Sequence, residues 1–450
     1  MQADDALDLL DGLLKQAKAA GAEAADALIV HATALSHAQR LGQMERLERE
    51  ESQDLGLRVL VGRRQAIVSS TDIRPGRHGA ALAELVERAV AMARAVPEDP
   101  YCGLAEPGQL ATAIPEIECF DAAEPPPEAL IERARACEEA ARAVAGVTNS
   151  EGAEAGWGQS SVALAASNGF GGTYAVSHHS VGVAVLAGEG LGMERDYEFC
   201  TKAFGADLDD PVEIGRRAGE RAVKRLGPRR PKTGKVPVVF DPRVANSMLR
   251  HLAGAINGTA IARRTSFLKD RMGQEIFAPG ITIVDDPHRK RGLRSKPFDG
   301  EGLPNRRREL IADGKLTTWV LDLRSARQLG LESTGHAARG TAAPPGPATT
   351  NLYLEPGEAS PEALIGEIEQ GFYVTEMMGM GVNGVTGDYS RGAAGFWIEK
   401  GEIAYPVSEL TVAGNLKDMF RKLTPANDLV FRYGTDAPTL RVDGLTVAGA

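Results

Sequence analysis

Cysteine is scarce in this chain of 450 residues: Cys102, Cys119, Cys137 and Cys200 are the four, and no two share a CxxC spacing. A disulfide-stapled scaffold is thereby excluded. Aromatic residues make up only 5%. Apolar stretches are short, and the longest, such as Val181 to Ala187, suit a strand; a membrane helix needs ~18 or more apolar residues. The opening Met1-Gln2-Ala3-Asp4-Asp5 is acidic where a secretory signal is basic, and no apolar core follows it. We therefore expect a cytoplasmic protein without membrane contact. Positive charge is also in deficit: 51 Lys and Arg against 61 Asp and Glu leave a formal charge of −10. Such a chain repels phosphate unless its basic residues are segregated, so nucleic acid is not an expected partner.

Catalytic signatures are missing as well. None of the eight histidines is followed by glutamate, so the HExxH zinc helix is absent. His251 lies on a predicted helix, but the positions that would carry a second ligand and a base hold apolar or small residues. His178 and His179 would point to opposite faces of a strand and cannot readily share a metal. No GxSxG elbow occurs. Gly379-Met380-Gly381-Val382-Asn383-Gly384 formally matches GxGxxG, yet a dinucleotide site opens a helix at that point. Here more glycine follows, and then strand-like Gly395-Phe396-Trp397-Ile398-Glu399. A glycine-rich loop between strands is the better reading. Arg289-Lys290-Arg291, with Arg294 and Lys296, is flanked by Asp285, Asp286, Asp299 and Glu301 and reads as a solvated loop, with an acidic partner surface second.

Periodic segments are plentiful. Leu7, Leu10, Leu13, Leu14 and Ala17 recur at helical spacing and stop at Gly21. Residues 56–61 and 65–70 read as a hairpin, Leu82 to Ala93 as an amphipathic helix, and Glu128 to Val144 as another. Ser160–Ala166 and Thr173–Val185 are strands joined by a glycine-bearing loop. Asp210 caps a helix that opens on Pro211, and Pro242 opens a second one. Between them, Gly227 to Lys235 holds two prolines, two glycines and four basic residues, which makes it the clearest linker. Helices and hairpins are grouped, without βα alternation. We expect an α+β protein of two domains with large, mostly antiparallel sheets and flanking helices: an N-terminal α+β domain (1–230) and a C-terminal strand-rich domain (231–450).

Several phrases in the second half resemble the TldD/PmbA family. They are Arg264-Thr265-Ser266-Phe267-Leu268, Lys296-Pro297-Phe298-Asp299-Gly300-Glu301-Gly302 and Ser333-Thr334-Gly335-His336-Ala337. The runs Thr386-Gly387-Asp388-Tyr389-Ser390-Arg391-Gly392-Ala393-Ala394-Gly395-Phe396-Trp397 and Tyr405 to Leu416 complete the set. The resemblance is specific to the PmbA (TldE) branch. It implies a subunit of a heterodimeric metallopeptidase that cleaves unfolded or modified peptides, in which the TldD-like partner carries an HExxxH helix, a further Cys ligand and the zinc.

In this chain the matching helix keeps only the first ligand: His251 stands in place, Leu252 replaces the general-base Glu, and Ile256 replaces the second His. No cysteine lies in the C-terminal domain. The resemblance thus implies no catalytic residue, metal or cofactor on this chain, zinc on a TldD-like partner, and a homodimer when the chain is alone. Thr386, Gly387, Asp388, Tyr389, Ser390, Arg391 and Phe396 are the candidates for facing the substrate cleft or the partner; stabilising a loop within one subunit is the alternative for Asp388, Tyr389 and Arg391. A second reading of the whole chain is a regulatory binding protein, of the kind called a modulator of DNA gyrase, without a peptidase role.

Overall fold

Helix α1 (Ala3–Ala19) buries Ala6, Leu10, Leu13, Leu14 and Ala17, one stripe at helical spacing, and the chain turns away at Gly21 with a φ of +101°. This computed structural model describes residues 3–72 and 79–449; Met1 and Gln2 of the acidic start lie outside them. Six strands follow in the first half: β1 (Ala24–Arg40), β2 (Gln43–Val61), β3 (Arg64–Ser70), β4 (Val147–Ala166), β5 (Gly171–Ala187) and β6 (Glu194–Lys202). They form one antiparallel sheet in the order β3-β2-β1-β4-β5-β6. Several run well beyond their expected lengths. The outer part of β2, residues 43–51, is exposed at nearly every position, so no apolar alternation marks it, and its pairing to β1 alone makes it a strand.

Strand alternation assigns the two faces of this sheet different tasks. Ala25, Ala27, Ile29, Ala163 and Ala165 pack under α1 and α2 (Gly79–Ala95). Leu35, Ala153, Ala155 and Trp157, of the same parity, pack under α3 (Pro127–Arg142) and α4 (Pro211–Lys224). The even positions Leu28, Leu164 and Ala166 face the other way, against Phe170 and Phe298. Phe298 comes from the second half of the chain, so that face is where the two halves meet.

The second half opens with β7 (Gly234–Phe240) and α5 (Pro242–Ala255), whose N-cap Asp241 accepts from Arg243 N at 2.9 Å. Later come β8 (Gln370–Met378), β9 (Asp388–Glu399), β10 (Glu402–Asn415), β11 (Leu423–Pro425) and β12 (Leu440–Ala448). Their order is β10-β9-β8-β7-β12-β11, and residues 411–413 of β10 also pair with 446–448 of β12, so the sheet curls back on itself. Only β7 and β8 run parallel within it. A smaller sheet is made from Ile283–Asp285, Arg308–Ala312, Lys315–Leu316, Leu352–Leu354 and Thr435–Asp436.

One reading needs correction. The strand expected to start at Gly395 begins at Asp388. Glycine there reflects crowding, not a loop: a Cβ on Gly395 would stand 2.0 Å from Tyr373 O, next to a bulge. The Arg289–Lys296 stretch is an exposed loop, as expected, and its charges also find partners from distant parts of the chain. Lys290 Nζ donates to Glu118 at 2.8 Å, Arg291 reaches Asp207 at 2.9 Å, and Lys296 donates to Ala337 O at 2.8 Å. The acids near it in sequence, Asp285, Asp299 and Glu301, are themselves buried.

Glu301 yields a pH-dependent expectation. Its carboxylate accepts from Leu323 N at 2.8 Å, and burial, reinforced by nearby Asp299, pushes its pKa from 4.5 up to about 8. Between those values the folded chain holds a proton that the unfolded chain has released, so this group makes stability fall as pH rises through that window. Glu301→Gln keeps an oxygen acceptor and has no proton to lose. Thermal unfolding measured from pH 5 to 9 should decline less steeply in the variant than in the parent; parallel slopes would contradict a protonated Glu301.

Candidate functional site

Helix α5 sends its side chains two ways. Met248, Leu249, Leu252 and Ala255 are buried in the core, and Ile256 at its C-cap is fully buried with them. Ser247 and His251, one helical turn apart, share a different line. Opposite stands Tyr389, the second residue of β9, with its ring edge-on to the imidazole at a centroid distance of 5.9 Å. Tyr389 is 2% exposed. The buried polar atoms Ser247 Oγ, His251 Nε2 and Tyr389 Oη find no hydrogen-bond partner among the described residues.

Arg391 brings positive charge to the same place. Its Nε donates to Gly379 O at 3.0 Å, which ties the head of the 379–387 loop to β9. Burial, then the charges of Arg391 and Arg250, push the pKa of His251 down to about 4, so the imidazole is neutral at physiological pH. Burial drives the Tyr389 phenol upward, and Arg391 beside it opposes only part of that. The arrangement is an uncharged histidine packed against a buried phenol, with a guanidinium beside them and no general base of ordinary strength.

The other sequence candidates separate. Asp388 lies directly across from Asn415 in the β9–β10 register. It accepts from Asn415 Nδ2 at 3.0 Å and from Thr386 Oγ1 at 2.6 Å, and those two bonds hold its pKa below the ordinary carboxylate value. Asp388 and Thr386 thus close the loop around Gly387. Ser390 is exposed, and its N–H donates to Gly381 O at 2.7 Å. Phe396 lies farther along β9, in a cavity of about 480 Å³ with Tyr373, Ile403 and Tyr405, where Tyr373 donates to Asp241 at 2.8 Å. Ser247 and Asn415 were not singled out from sequence; the four-residue step from Ser247 to His251 was the available signal.

A zinc ion takes three or four nitrogen, sulfur or carboxylate donors. The positions beside His251 on α5 offer Leu252 and Ile256, both turned into the core, so the residues present do not fit a catalytic zinc. Among the described residues no group of three His, Cys, Asp or Glu could hold a metal. One triad-like set does exist elsewhere. His336 Nδ1 is 2.8 Å from Thr334 Oγ1, and its Nε2 is 3.2 Å from Asp285. Yet Thr334 Oγ1 already accepts from Leu321 N at 2.8 Å, and all three residues are buried, so this is a structural network. No helix among the described residues is long and apolar enough to cross a membrane.

Comparison with known proteins bears on this geometry. Sequence models of the PmbA/TldA metallopeptidase match in three consecutive parts: domain 1 over residues 25–93, the central domain over 120–226, and the C-terminal domain over 233–449. The metalloprotease PmbA of Escherichia coli O157:H7 is 39% identical over 446 residues, covering 99% of this chain and 94% of its own. A PmbA homolog from Haemophilus influenzae is 34% identical over 433 residues, covering 96% and 93%. A crystal structure of a proposed modulator of DNA gyrase from Bacteroides thetaiotaomicron superposes with a TM-score of 0.91 at 27% identity, covering 100% of both chains.

Proposed function

Because this chain belongs to the PmbA/TldD family of metallopeptidases, we propose that it is the metal-free subunit of a two-chain peptidase. A TldD-like partner of the same fold supplies the zinc, and this chain supplies one wall of the cleft that receives unfolded or modified peptides. The observation that carries the reading is the filling of the zinc-helix positions by Leu252 and Ile256, each fully buried in the core. Neither side chain has an atom that can ligate a metal or activate water. An enclosed cleft walled by two related subunits would admit an extended, disordered chain and exclude folded ones. Alone, the chain would pair with itself through the surface meant for its partner. The regulatory reading rested partly on the Arg289–Lys296 stretch, and Lys290 and Arg291 are engaged with Glu118 and Asp207 instead.

The test is to purify the chain alone and co-expressed with a TldD-like subunit, then assay each for bound zinc and for cleavage of an unstructured peptide. Zinc and chelator-sensitive cleavage are expected only in the mixed complex. Stoichiometric zinc in the lone chain, or a mixed complex that cleaves nothing, would refute the proposal.

A further inference from the structure

A second cavity, of about 220 Å³, opens where the two halves of the chain meet. The end of β6, at Thr201 and Lys202, lines it together with the loops around Arg289–Arg291 and Phe431–Asp436. Five cations face it, Lys202, Arg289, Lys290, Arg291 and Arg432, against two carboxylates, Asp207 and Asp436. Some of these charges are satisfied within the chain. Lys290 donates to Glu118 at 2.8 Å, and Arg291 reaches both oxygens of Asp207 at 3.1 and 2.9 Å. One oxygen of Asp436 accepts from the backbone N–H groups of Arg432 and Tyr433 at 2.9 and 2.8 Å, which shapes the 432–436 turn.

The other cations are left over. Neither the Arg289 guanidinium nor the Lys202 ammonium makes a side-chain hydrogen bond or ion pair among the described residues. The Arg432 guanidinium stands 4.0 Å from Glu198, which Arg221 holds more closely at 2.5 Å. Asp209 feels the charges of Lys202 and Arg432, but it is paired with Arg217 at 3.0 Å. Arg289 is also held in position. Its guanidinium carbon lies 3.2 Å from the centroid of the Phe431 ring, and Tyr353 packs edge-on against that ring at 5.1 Å. A guanidinium stacked on an aromatic face keeps its N–H edge free and gives up little freedom when an anion arrives.

We propose that this cavity binds a phosphoryl dianion, with Arg289 presenting its planar fork, Lys202 a point charge from β6, and Arg432 a second guanidinium. Three poorly matched cations against the single carboxylate of Asp436 leave a surplus of about two positive charges, which suits a dianion better than a lone carboxylate. The space is smaller than the ~300–1,000 Å³ of sites that enclose a drug-sized ligand, so the recognised group is compact. Free phosphate and the phosphate end of a monoester share that chemistry. A ligand touching both halves would also fasten their junction and stabilise the fold by mass action. No residue of α5 takes part, so the site stands independently of the peptidase reading.

The full-length chain is titrated calorimetrically, at fixed ionic strength, with inorganic phosphate, glycerol phosphate and a ten-residue Gly/Ala/Ser peptide carrying glutamates. Phosphate or glycerol phosphate should bind at one site per chain, about tenfold or more tighter than the acidic peptide. Tighter binding of glycerol phosphate identifies a monoester as the ligand; equal or weaker binding identifies free phosphate. Lys202→Gln removes an ammonium that pairs with nothing and should weaken phosphate binding about tenfold. Arg289→Lys keeps the charge but loses the fork, and should weaken it as well. Arg135→Gln removes the same charge from the exposed face of α3 and should change nothing. The proposal is overturned if neither phosphate saturates a single site, if the acidic peptide binds as tightly, or if Lys202→Gln behaves like Arg135→Gln.

Discussion

Replacing Asp26 by alanine should destabilise the protein by about 3–5 kcal/mol, the cost typical of breaking a buried ion pair from one side. Asp26 on β1 lies directly opposite Arg58 on β2 and accepts from its Nε at 2.9 Å. Arg339, from the second half of the chain, donates to the other carboxylate oxygen. All three side chains are almost completely buried. One carboxylate therefore serves two guanidiniums across the junction of the halves, and Arg339 Nε and Nη2 have no other partner among the described residues. Removing it strands two positive charges away from water.

The pH dependence of this contact has a definite sign. Burial alone would raise the pKa of Asp26, but the two arginines overrule it and hold the carboxyl below its ordinary 3.8. Its stabilisation is thus complete above that value and is lost as pH falls through the lower, folded one. Asp26→Asn keeps an acceptor without the charge and should fall between parent and alanine variant at pH 7. The gap between parent and Asp26→Asn should shrink toward acid, in chemical denaturation followed from pH 7 to pH 3. A gap that widens toward acid would refute the ionised pair.

Leu252→Glu should be at least as damaging, roughly 4–5 kcal/mol, through lost leucine packing and burial of a carboxyl group without a partner. Leu252 is 0% exposed in the core between α5 and the curled sheet. Placing there the glutamate that the resemblance implies for TldD-like members should therefore unfold much of the protein and recruit no zinc, even combined with Ile256→His. Leu252→Met, which conserves volume, should cost less than about 1.5 kcal/mol and serves as the control. Denaturant unfolding and metal analysis on the same preparations check both halves. A folded Leu252→Glu, Ile256→His double variant carrying one zinc would show the helix to be only superficially degenerate.

Helix starts were legible because capping is local. Asp210 before Pro211 and Asp241 before Pro242 each satisfy a free N–H of the first turn, and both helices begin at the expected proline. The stripe on α1 was legible for the same reason. Strand extents were not, because the exposed end of β2 and the start of β9 are strands only through their neighbours: β1 pairs with residues 43–54, and β10 with 388–393. Glycine misled at Gly395, where a single sequence cannot distinguish a flexible loop from a tight backbone crossing. The charge run at 289–296 was legible as an exposed loop, but its partners, Glu118 and Asp207, were not, because they are distant in sequence.

Side-chain identity alone determined which chemistry is available at the zinc-helix positions, since leucine and isoleucine have no donor atoms in any fold. It also carried the family, through phrases long enough to stand without a structure. Tertiary packing decided everything that depends on who meets whom. Residues 386–396 are contiguous in the chain, yet the fold spends Thr386 and Asp388 on the loop, sends Phe396 to a separate cavity, and brings only Tyr389 and Arg391 to His251. The reason is physical: covalent structure specifies how many hydrogen bonds a side chain can make, whereas strand register and helix docking specify which of them are made. The groups left unpaired beside His251 are visible only after that pairing is complete.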